Sequence, residues 1–410
     1  MPDRHHPLPF SDQRFARAEL ERIQLGLLND LIARARVASA FHRHRLPAEP
    51  LGSLDELTRL PFMVPDDLRV QESVLLVPPQ QVSRMVSLPT SGTSGEPKRI
   101  AFTEEDVRQT REFFSTGLHC ICRAGEPTAV LFPSATPGSM GSLIAMSVED
   151  TGARAATFDI SAPLEEIARA VARSGATSAV GSGHLLLALA RYAGRHPGTL
   201  GLDRVLVSSD NASRSMLAAI GTGLGCEVFE HFGMTETGFG CAVDCWAHAG
   251  MHIREFDMIV EIVDPATGEA VPAGEEGELV ITTLLREAMP VIRYRTGDIA
   301  SIVPGECPCG GGLRRLGRMR GHALLRDDGE WRLEAALDET VFALPGVVDY
   351  EARLTGMNEG RSLSIAVESF EGIDARELKR ALPEDIAVEV EAKPVDESAP
   401  LRNPKLSRLQ

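Results

Sequence analysis

The spacing of apolar residues changes along the chain and predicts different kinds of structure. From about 15 to 40, leucine and isoleucine recur at helical intervals, so the chain is expected to open with an amphipathic helix. Between about 128 and 232, short apolar runs alternate with helical patterns, which is typical of a parallel sheet with crossover helices. Ligands of such folds bind at the carboxyl ends of the strands.

The pattern changes again further along the chain. From about 258 to 294, strands of period two flank a turn-rich stretch, which predicts a smaller antiparallel, barrel-like unit. A basic, glycine-rich stretch, 310–321, then precedes a new strand and helix pattern. The predicted fold is therefore α/β, with parallel and mixed sheets, helices and the antiparallel unit in a large domain, 1–317, followed by a small α+β domain, 318–410.

Composition and charge narrow the class of partner. The 410 residues are 43% hydrophobic and 24% charged, as in ordinary globular proteins. The formal net charge of -16 argues against a nucleic-acid surface or an anionic membrane as partner, because both favour clustered Lys and Arg. The N-terminus lacks the basic start and apolar run of a signal peptide, and no run of about eighteen apolar residues follows. A cytoplasmic protein with a small soluble substrate is expected.

The first candidate site is the stretch 88–98, where hydroxyl residues alternate with glycines ahead of a lysine. Glycines let backbone N–H groups approach phosphate oxygens, hydroxyls donate hydrogen bonds and Lys98 adds positive charge, so the stretch is typical of a polyphosphate-binding loop. It is not a Walker A loop, because Pro97 stands where the second glycine belongs. A mobile surface loop is the alternative. The candidate residues are Thr90, Ser91, Gly92, Thr93, Ser94, Gly95 and Lys98.

The second candidate site, 230–238, directly follows the last predicted parallel strand, where a ligand crevice is expected. Glu236 can hold Mg²⁺, because one carboxylate together with substrate phosphates is a common way of binding this ion. Phe232 offers a flat face to a nucleotide base. A core position is the alternative for Phe232, as for most buried phenylalanines.

The third candidate site, 288–298, is a strand that ends in a turn with an acidic residue. The carboxylate of Asp298 can accept hydrogen bonds from two ribose hydroxyls. In the alternative interpretation, Asp298 caps a turn while the two arginines of the strand are solvated or form ion pairs. The residues of those pairs would be Arg293 and Arg295 with Glu278 and Glu287.

These three stretches resemble the sequence motifs of the adenylate-forming superfamily and occur in the same order. The chain resembles the phenylacetate-CoA ligase family in particular. The resemblance extends to 60–69, 274–279 and 344–350 and covers nearly the whole chain. It implies that ATP activates a small carboxylic acid, with aryl acids among the candidates, as its acyl-AMP and that coenzyme A then accepts the acyl group. The alternatives are transfer to an acyl-carrier protein and a non-catalytic nucleotide-binding or regulatory homologue; a homodimer is compatible with each.

The resemblance implies roles for individual residues. The loop 90–98 would hold the β- and γ-phosphates of ATP, Thr235 would contact the α-phosphate, and Glu236 would bind Mg²⁺. Lys405 would lie at the reacting carboxylate and the α-phosphate. In the family the small C-terminal domain is mobile and rotates between the two steps, so that the lysine leaves and coenzyme A enters.

The resemblance also implies how the nucleoside is held. Phe232, at a position where the family usually has tyrosine, would stack on adenine. Asp298 would bind the ribose hydroxyls of ATP and AMP, and Arg318 would assist from the hinge. The same nucleotide-binding segment contains Glu230, His231 and Gly233.

The chain departs from the family pattern at three points. The family's hinge usually carries an acidic pair after Gly-Arg, but Gly317-Arg318 is followed by Met319-Arg320. Lys405 follows a proline where glycine is usual. The stretch 132–138, equivalent to the family's glycine-rich acyl pocket, differs in composition, so the acid need not be phenylacetate.

Cysteine and histidine residues predict a metal site. Thiolates and imidazoles in groups of four are typical of tetrahedral Zn²⁺, and some relatives have a similar arrangement. The preferred ligands of this structural zinc are Cys245, His252, Cys307 and Cys309, with Cys241 and His248 as alternates. Free cysteines in a reduced cytosol are the alternative.

Overall fold

The computed structural model describes residues 16–69, 71–88, 98–136, 138–208, 212–322, 331–355, 362–380 and 387–401. The chain folds into two compact units, each built from two separate stretches of sequence. Unit 1 consists of Met1–Cys120 and His231–Leu325, and unit 2 of Ile121–Glu230 and Arg326–Gln410. No helix in the described ranges is long and apolar enough to cross a membrane.

The described residues form helices between Arg17 and Arg380. The α-helices are α1 (Arg17–Ala38), α2 (Ala40–Arg43), α3 (Gln71–Val74), α4 (Glu104–Leu118), α5 (Met140–Asp150), α6 (Leu164–Ser174), α7 (Gly183–Arg195), α8 (Arg214–Leu224), α9 (Trp331–Val341) and α10 (Ala375–Arg380). Short 3-10 helices cover Leu54–Arg59, Pro65–Arg69, Pro79–Gln81 and Thr235–Thr237.

The strands fall into a parallel and several antiparallel groups. They are β1 (Arg84–Leu88), β2 (Lys98–Phe102), β3 (Pro127–Leu131), β4 (Arg154–Thr157), β5 (Ser178–Gly181), β6 (Arg204–Val207), β7 (Glu227–Phe232), β8 (Ala242–Val243), β9 (Met251–Ile253), β10 (Met258–Val263), β11 (Gly277–Thr283), β12 (Tyr294–Ala300), β13 (Ile302–Val303), β14 (Arg315–Leu316), β15 (Gly321–His322), β16 (Val347–Thr355), β17 (Ser362–Ser369) and β18 (Ala387–Pro394).

Unit 1 opens with the predicted amphipathic helix. One face of α1 buries Leu28, Leu31 and Ile32 in a core that also contains residues of 259–294. The buried Gln24 side chain donates hydrogen bonds to the backbone carbonyls of residues 255 and 258, at 2.8 and 3.0 Å. These contacts join α1 to the antiparallel part of unit 1, although more than 200 residues separate them in sequence.

The antiparallel sheet of unit 1 has the strand order β10-β11-β12-β15. Every residue of β11 is buried, and β10 and β12 pair with its two edges. This sheet confirms the antiparallel unit that the sequence predicts. A neighbouring antiparallel group, β13-β14-β9-β8, pairs with the end of β7 through His231 and Phe232.

Unit 2 contains a parallel sheet with the order β7-β6-β5-β3-β4. Its crossover helices begin and end at residues suited to those positions. The Ser182 and Ser213 side chains accept hydrogen bonds from backbone N–H groups in the first turns of α7 and α8. Helix α8 ends at Gly225, which has a positive φ of 66°. The parallel α/β pattern predicted for 128–232 is confirmed.

The C-terminal residues form the predicted α+β pattern, with β16 antiparallel and β18 parallel to the central strand β17. Their apolar side chains join the same core as those of α7 and α8. The Arg191 guanidinium on α7 donates to the carbonyls of Phe342, Leu344 and Val347 at 3.0 to 3.2 Å. Unit 2 therefore has one core, built from residues on both sides of the sequence break.

We expect the substitution Phe342→Ala to lower the free energy of unfolding of unit 2 by about 3–5 kcal/mol, because the Phe342 side chain is fully buried in this core. Chemical denaturation followed by circular dichroism measures the change. Val37→Ala, at a position that is 79% exposed in unit 1, is the control and should leave the curve unchanged. Equal midpoints for both variants would contradict a core that depends on Phe342.

Candidate active site

Three residues from distant parts of the sequence meet around one carboxylate in unit 1. Lys98 begins β2, Glu236 lies in the 3-10 helix Thr235–Thr237, and Tyr294 begins β12. The Lys98 ammonium forms an ion pair with Glu236 Oε1, and the Tyr294 hydroxyl donates to the same oxygen at 2.8 Å. Lys98 Nζ is also 3.3 Å from the Tyr294 hydroxyl oxygen.

The Glu236 carboxylate is buried, and its two oxygens differ in environment. Only 2% of the side chain is exposed. Both contacts go to Oε1, and within the described part of the chain no donor contacts Oε2. A buried carboxylate with one oxygen held and the other available suits a hard cation. Glu236 thus fits the magnesium role that the sequence predicts for it.

The turn that carries Glu236 has a conformation that requires glycine. Gly238 has a positive φ of 70°, and a Cβ atom there would lie 1.5 Å from Nη2 of Arg286. The buried Arg286 guanidinium donates to the carbonyl oxygens of Thr237 and Asp106, at 2.8 and 2.7 Å. Burial lowers the pKa of Arg286 to about 10, so it remains protonated at neutral pH. Arg286 holds the end of the turn against α4.

The residue before Tyr294 fixes the start of β12. Arg293 has a φ of 47°, which is unusual for a residue with a side chain. Its guanidinium binds both carboxylate oxygens of Glu261, at 3.1 and 2.9 Å, and the carbonyl of Leu60 at 2.9 Å. The backbone on both sides of Tyr294 pairs with Met63, at 3.0 and 2.9 Å. The position of the Tyr294 ring is therefore set by its neighbours.

The ion pairs at the start of β12 agree in part with the alternative interpretation of 288–298, in which its two arginines pair with Glu278 and Glu287. Arg295 Nε donates to Glu278 at 2.8 Å, as that alternative predicts. Arg293 instead pairs with Glu261. Glu287 accepts a hydrogen bond from the Thr103 hydroxyl at 2.8 Å.

Two groups near Glu236 have shifted pKa values. Burial and the Glu236 carboxylate raise the pKa of Tyr294, so its phenol stays protonated and acts as a donor. Asp298 lies on β12 and is partly buried. Burial, the negative charge of Glu236 and that of Glu278 raise the pKa of Asp298 to about 7, against the opposing effects of Thr296 and Lys98. Asp298 therefore changes charge near neutral pH.

The remaining residues of the second motif lie on alternate sides of β7 and in the turn after it. His231 is buried against the rings of Phe113 and Phe114, at 5.7 and 5.8 Å, and burial lowers its pKa to about 4. Phe232, the next residue, is partly exposed. A Cβ atom on Gly233 would lie 2.1 Å from the carbonyl oxygen of residue 239, so the turn requires glycine here.

The remaining residues that the sequence predicts for nucleotide binding and catalysis lie in both units or outside the described residues. Thr235 is buried in the 3-10 helix beside Glu236, and Glu230 is the last residue of β7 in unit 2. Arg318 is partly buried two residues after β14. The other residues predicted from the first motif, Thr90, Ser91, Gly92, Thr93, Ser94 and Gly95, and the predicted catalytic Lys405 lie outside the described residues.

The four preferred metal ligands come together in unit 1. The ligand atoms of Cys245, His252, Cys307 and Cys309 all lie within 4.8 Å of one another. Sγ of Cys245 is 3.7 Å from Sγ of Cys307, and Sγ of Cys309 is 3.2 Å from Nε2 of His252. Tetrahedral Zn²⁺, at about 2.3 Å from each sulfur, places sulfurs about 3.8 Å apart. The donor set and its spacing fit zinc.

Protonation and packing also distinguish these residues from the alternates. Burial lowers the pKa of His252 to about 4, so its imidazole is neutral, as a metal ligand must be. Burial raises the pKa of Cys245, which a bound cation would offset. Cys241 is buried outside this group, and His248 lies 2.6 Å from the Asp244 carboxylate.

Comparisons with known proteins agree with this geometry. Residues 49–284 match the family described as AMP-binding enzyme. The chain is 27% identical to a phenylacetate-coenzyme A ligase of Thermus thermophilus over 353 residues, covering 82% of this chain and 78% of the relative. It is 28% identical to the phenylacetate-coenzyme A ligase of Aromatoleum evansii over 326 residues, covering 77% and 72%.

A solved structure has the same fold. The crystal structure of a 2-hydroxyisobutyryl-CoA ligase in its postadenylation state superposes with a TM-score of 0.80 and 20% identity, covering 100% of this chain and 94% of that one. This similarity confirms the predicted α/β fold.

The pKa of Asp298 gives a pH dependence that can be measured. If the carboxylate accepts the ribose hydroxyls, as the sequence predicts, adenosine should bind more tightly as Asp298 ionises. With a pKa of about 7, the ionised fraction, and so the affinity, rises about tenfold from pH 6 to pH 8. Adenosine itself does not titrate in this range. Calorimetry without divalent metal measures the affinity, and Asp298→Asn should remove the pH dependence. An unchanged slope in Asp298→Asn would contradict this role.

Proposed function

Because the chain belongs to the AMP-binding enzyme family, we propose that it uses ATP to activate a small carboxylic acid as acyl-AMP and then transfers the acyl group to coenzyme A. The observation that carries the proposal is the buried Glu236 carboxylate, held by Lys98 and Tyr294 directly after β7. The names of the sequence relatives, phenylacetate-coenzyme A ligases, support coenzyme A as the acceptor.

The first step needs a nucleophile, a leaving group and a means of reducing negative charge. An oxygen of the acid attacks the α-phosphorus, the bond from that phosphorus to the bridging oxygen breaks, and pyrophosphate leaves. Mg²⁺ at Glu236 would supply positive charge to the phosphates. Thr235 would contact the α-phosphate, and Lys98 would add charge at the end of the 88–98 loop. Asp298 and Phe232 would orient the nucleoside.

The second step explains why the acid is first converted to acyl-AMP. A free carboxylate has no good leaving group, whereas the mixed anhydride releases AMP when a thiol sulfur attacks the acyl carbon. The new carbon–sulfur bond replaces the carbon–oxygen bond, and the thiol proton is lost. We propose that the small domain 318–410 moves between the two steps and that Lys405 acts in the first one.

We also propose that Cys245, His252, Cys307 and Cys309 bind a structural Zn²⁺. Its ligands would join β9, which contains His252, to the Cys-Pro-Cys segment that precedes β14. This would stabilise the region just before Gly317 and Arg318. The zinc would have no part in either chemical step.

The proposed activity predicts acid-dependent exchange of pyrophosphate into ATP, and a thioester when coenzyme A is added. Lys405→Ala should lower the exchange rate by about 100-fold or more, because a cation aimed at developing charge contributes that much. Labelled pyrophosphate and a panel of aryl and short-chain acids provide the measurement. The matched control is Lys393→Ala, on β18 of the same predicted domain, which should exchange normally.

Two outcomes would contradict parts of this proposal. Absence of exchange with every acid would remove the adenylation activity and favour a nucleotide-binding homologue without catalysis. Exchange with transfer only to a phosphopantetheinyl carrier protein would replace coenzyme A as the acceptor.

Metal analysis tests the zinc site. We expect about one zinc per chain in the purified protein and its loss in Cys309→Ser, because a closed structural site has four protein ligands. Cys226→Ser is the matched control, since Cys226 is a partly exposed free cysteine of unit 2. Equal zinc content in both variants, or a metal-free protein of unchanged thermal stability, would contradict the site.

A further inference from the structure

We propose that Tyr294 is a positioning residue: its hydroxyl holds one oxygen of the Glu236 carboxylate and leaves the other for the cation that accompanies ATP. The inference rests on the proposed function. It gives a role to a residue for which the sequence motifs predict none. It starts from the convergence of two donors on Oε1 of Glu236.

The two donors differ in how firmly they are held. The Tyr294 side chain is fully buried, and its backbone is paired with Met63 on both sides. The Lys98 side chain is 19% exposed. Lys98 is the first residue of β2 and directly follows the segment in which the phosphate-binding residues are predicted. A flexible ammonium can turn to phosphate when ATP is present, whereas the tyrosine hydroxyl has no comparable freedom. Tyr294 is therefore the donor that keeps Glu236 oriented throughout.

The two donors also differ in charge. An ammonium on Oε1 neutralises the carboxylate and reduces its attraction for a divalent cation. A phenol hydroxyl orients the carboxylate by a hydrogen bond and leaves the full negative charge in place. Hydrogen bonds from outer residues commonly orient metal ligands in this way, and their loss costs about 10- to 100-fold in metal affinity.

The geometry of the turn makes such orientation necessary. Glu236 lies in a single 3-10 turn between Met234 and Gly238, and Arg286 holds that turn at the Thr237 carbonyl. These contacts fix the backbone of the turn but do not fix the side-chain torsions of Glu236. Within the described ranges, the hydrogen bonds that restrain those torsions are the ones from Lys98 and Tyr294.

The substitution Tyr294→Phe tests the inference, because it removes one hydroxyl and keeps the ring. We expect the dissociation constant of Mn²⁺, measured by electron paramagnetic resonance with α,β-methylene ATP present, to rise about tenfold or more. The affinity for the same nucleotide without metal should stay within twofold of wild type. In the exchange assay, the Mg²⁺ concentration for half-maximal rate should rise by the same factor, and saturating Mg²⁺ should restore most of the rate.

Tyr350→Phe is the matched control. Tyr350 is also buried, and its hydroxyl donates to a carboxylate, that of Asp338, at 2.7 Å in unit 2. Both variants lose a buried hydrogen bond and should be less stable, but only Tyr294→Phe should change metal affinity. A wild-type Mn²⁺ constant in Tyr294→Phe, an equal change in Tyr350→Phe, or no Mn²⁺ binding by the wild-type complex with the analogue would overturn the inference.

The metal-binding measurement separates this inference from the proposed function. If wild-type protein binds Mn²⁺ with the nucleotide analogue but gives no exchange with any acid, the proposed activity fails. The comparison of the two tyrosine variants by paramagnetic resonance then still decides the role of Tyr294, because it requires no turnover.

Discussion

The burial of one carboxylate, that of Glu236, constrains the arrangement of unit 1. A charge withdrawn from water is stable only if it is paired and hydrogen-bonded, and removal of one partner of such a pair costs about 3–5 kcal/mol. The partners are the first residues of β2 and β12, so both strands must begin close to the turn after β7. The buried guanidinium groups of Arg286 and Arg293 hold that turn and the start of β12 in position. The partners and supports of this one acidic group thus come from several separate stretches of unit 1.

This arrangement concentrates negative charge where a nucleotide and its cation would bind. Glu236 and Glu278 both raise the pKa of Asp298, so the carboxylates of the site repel one another in the absence of ligand. A fold optimised only for stability would avoid such repulsion, and shifted pKa values of this kind are concentrated at functional sites. A divalent cation at Glu236 would reduce the repulsion, and it would thereby favour the ionised form of Asp298. Metal binding and ribose binding are therefore expected to reinforce each other.

Local patterns in the sequence predicted much of the fold and part of the site. The amphipathic α1, the parallel sheet of unit 2 and the antiparallel sheet of unit 1 each have a periodicity that is visible within one segment. The group formed by Cys245, His252, Cys307 and Cys309 was also predicted, because cysteine and histidine are few and their chemistry is specific. Tyr294 lies within the third candidate stretch, 288–298, but the sequence predicts no role for it, because its partner is 58 residues away in sequence. The same limit applies to Arg293, whose acidic partner is Glu261 rather than Glu278 or Glu287. Sequence spacing does not reveal which charged residues a fold brings together.

The core of unit 2 places a physical condition on the proposed movement of 318–410. Apolar residues of α9 and β16 share that core with α7 and α8, and Arg191 on α7 donates to three carbonyls of the segment 342–347. Water can replace the hydrogen bonds of Arg191 at little cost, but exposed apolar area costs about 25 cal/mol per Å². Two states that interconvert during catalysis must lie within a few kcal/mol of each other. The apolar area exposed in a rotation must therefore be small, or the second state must bury a similar area elsewhere.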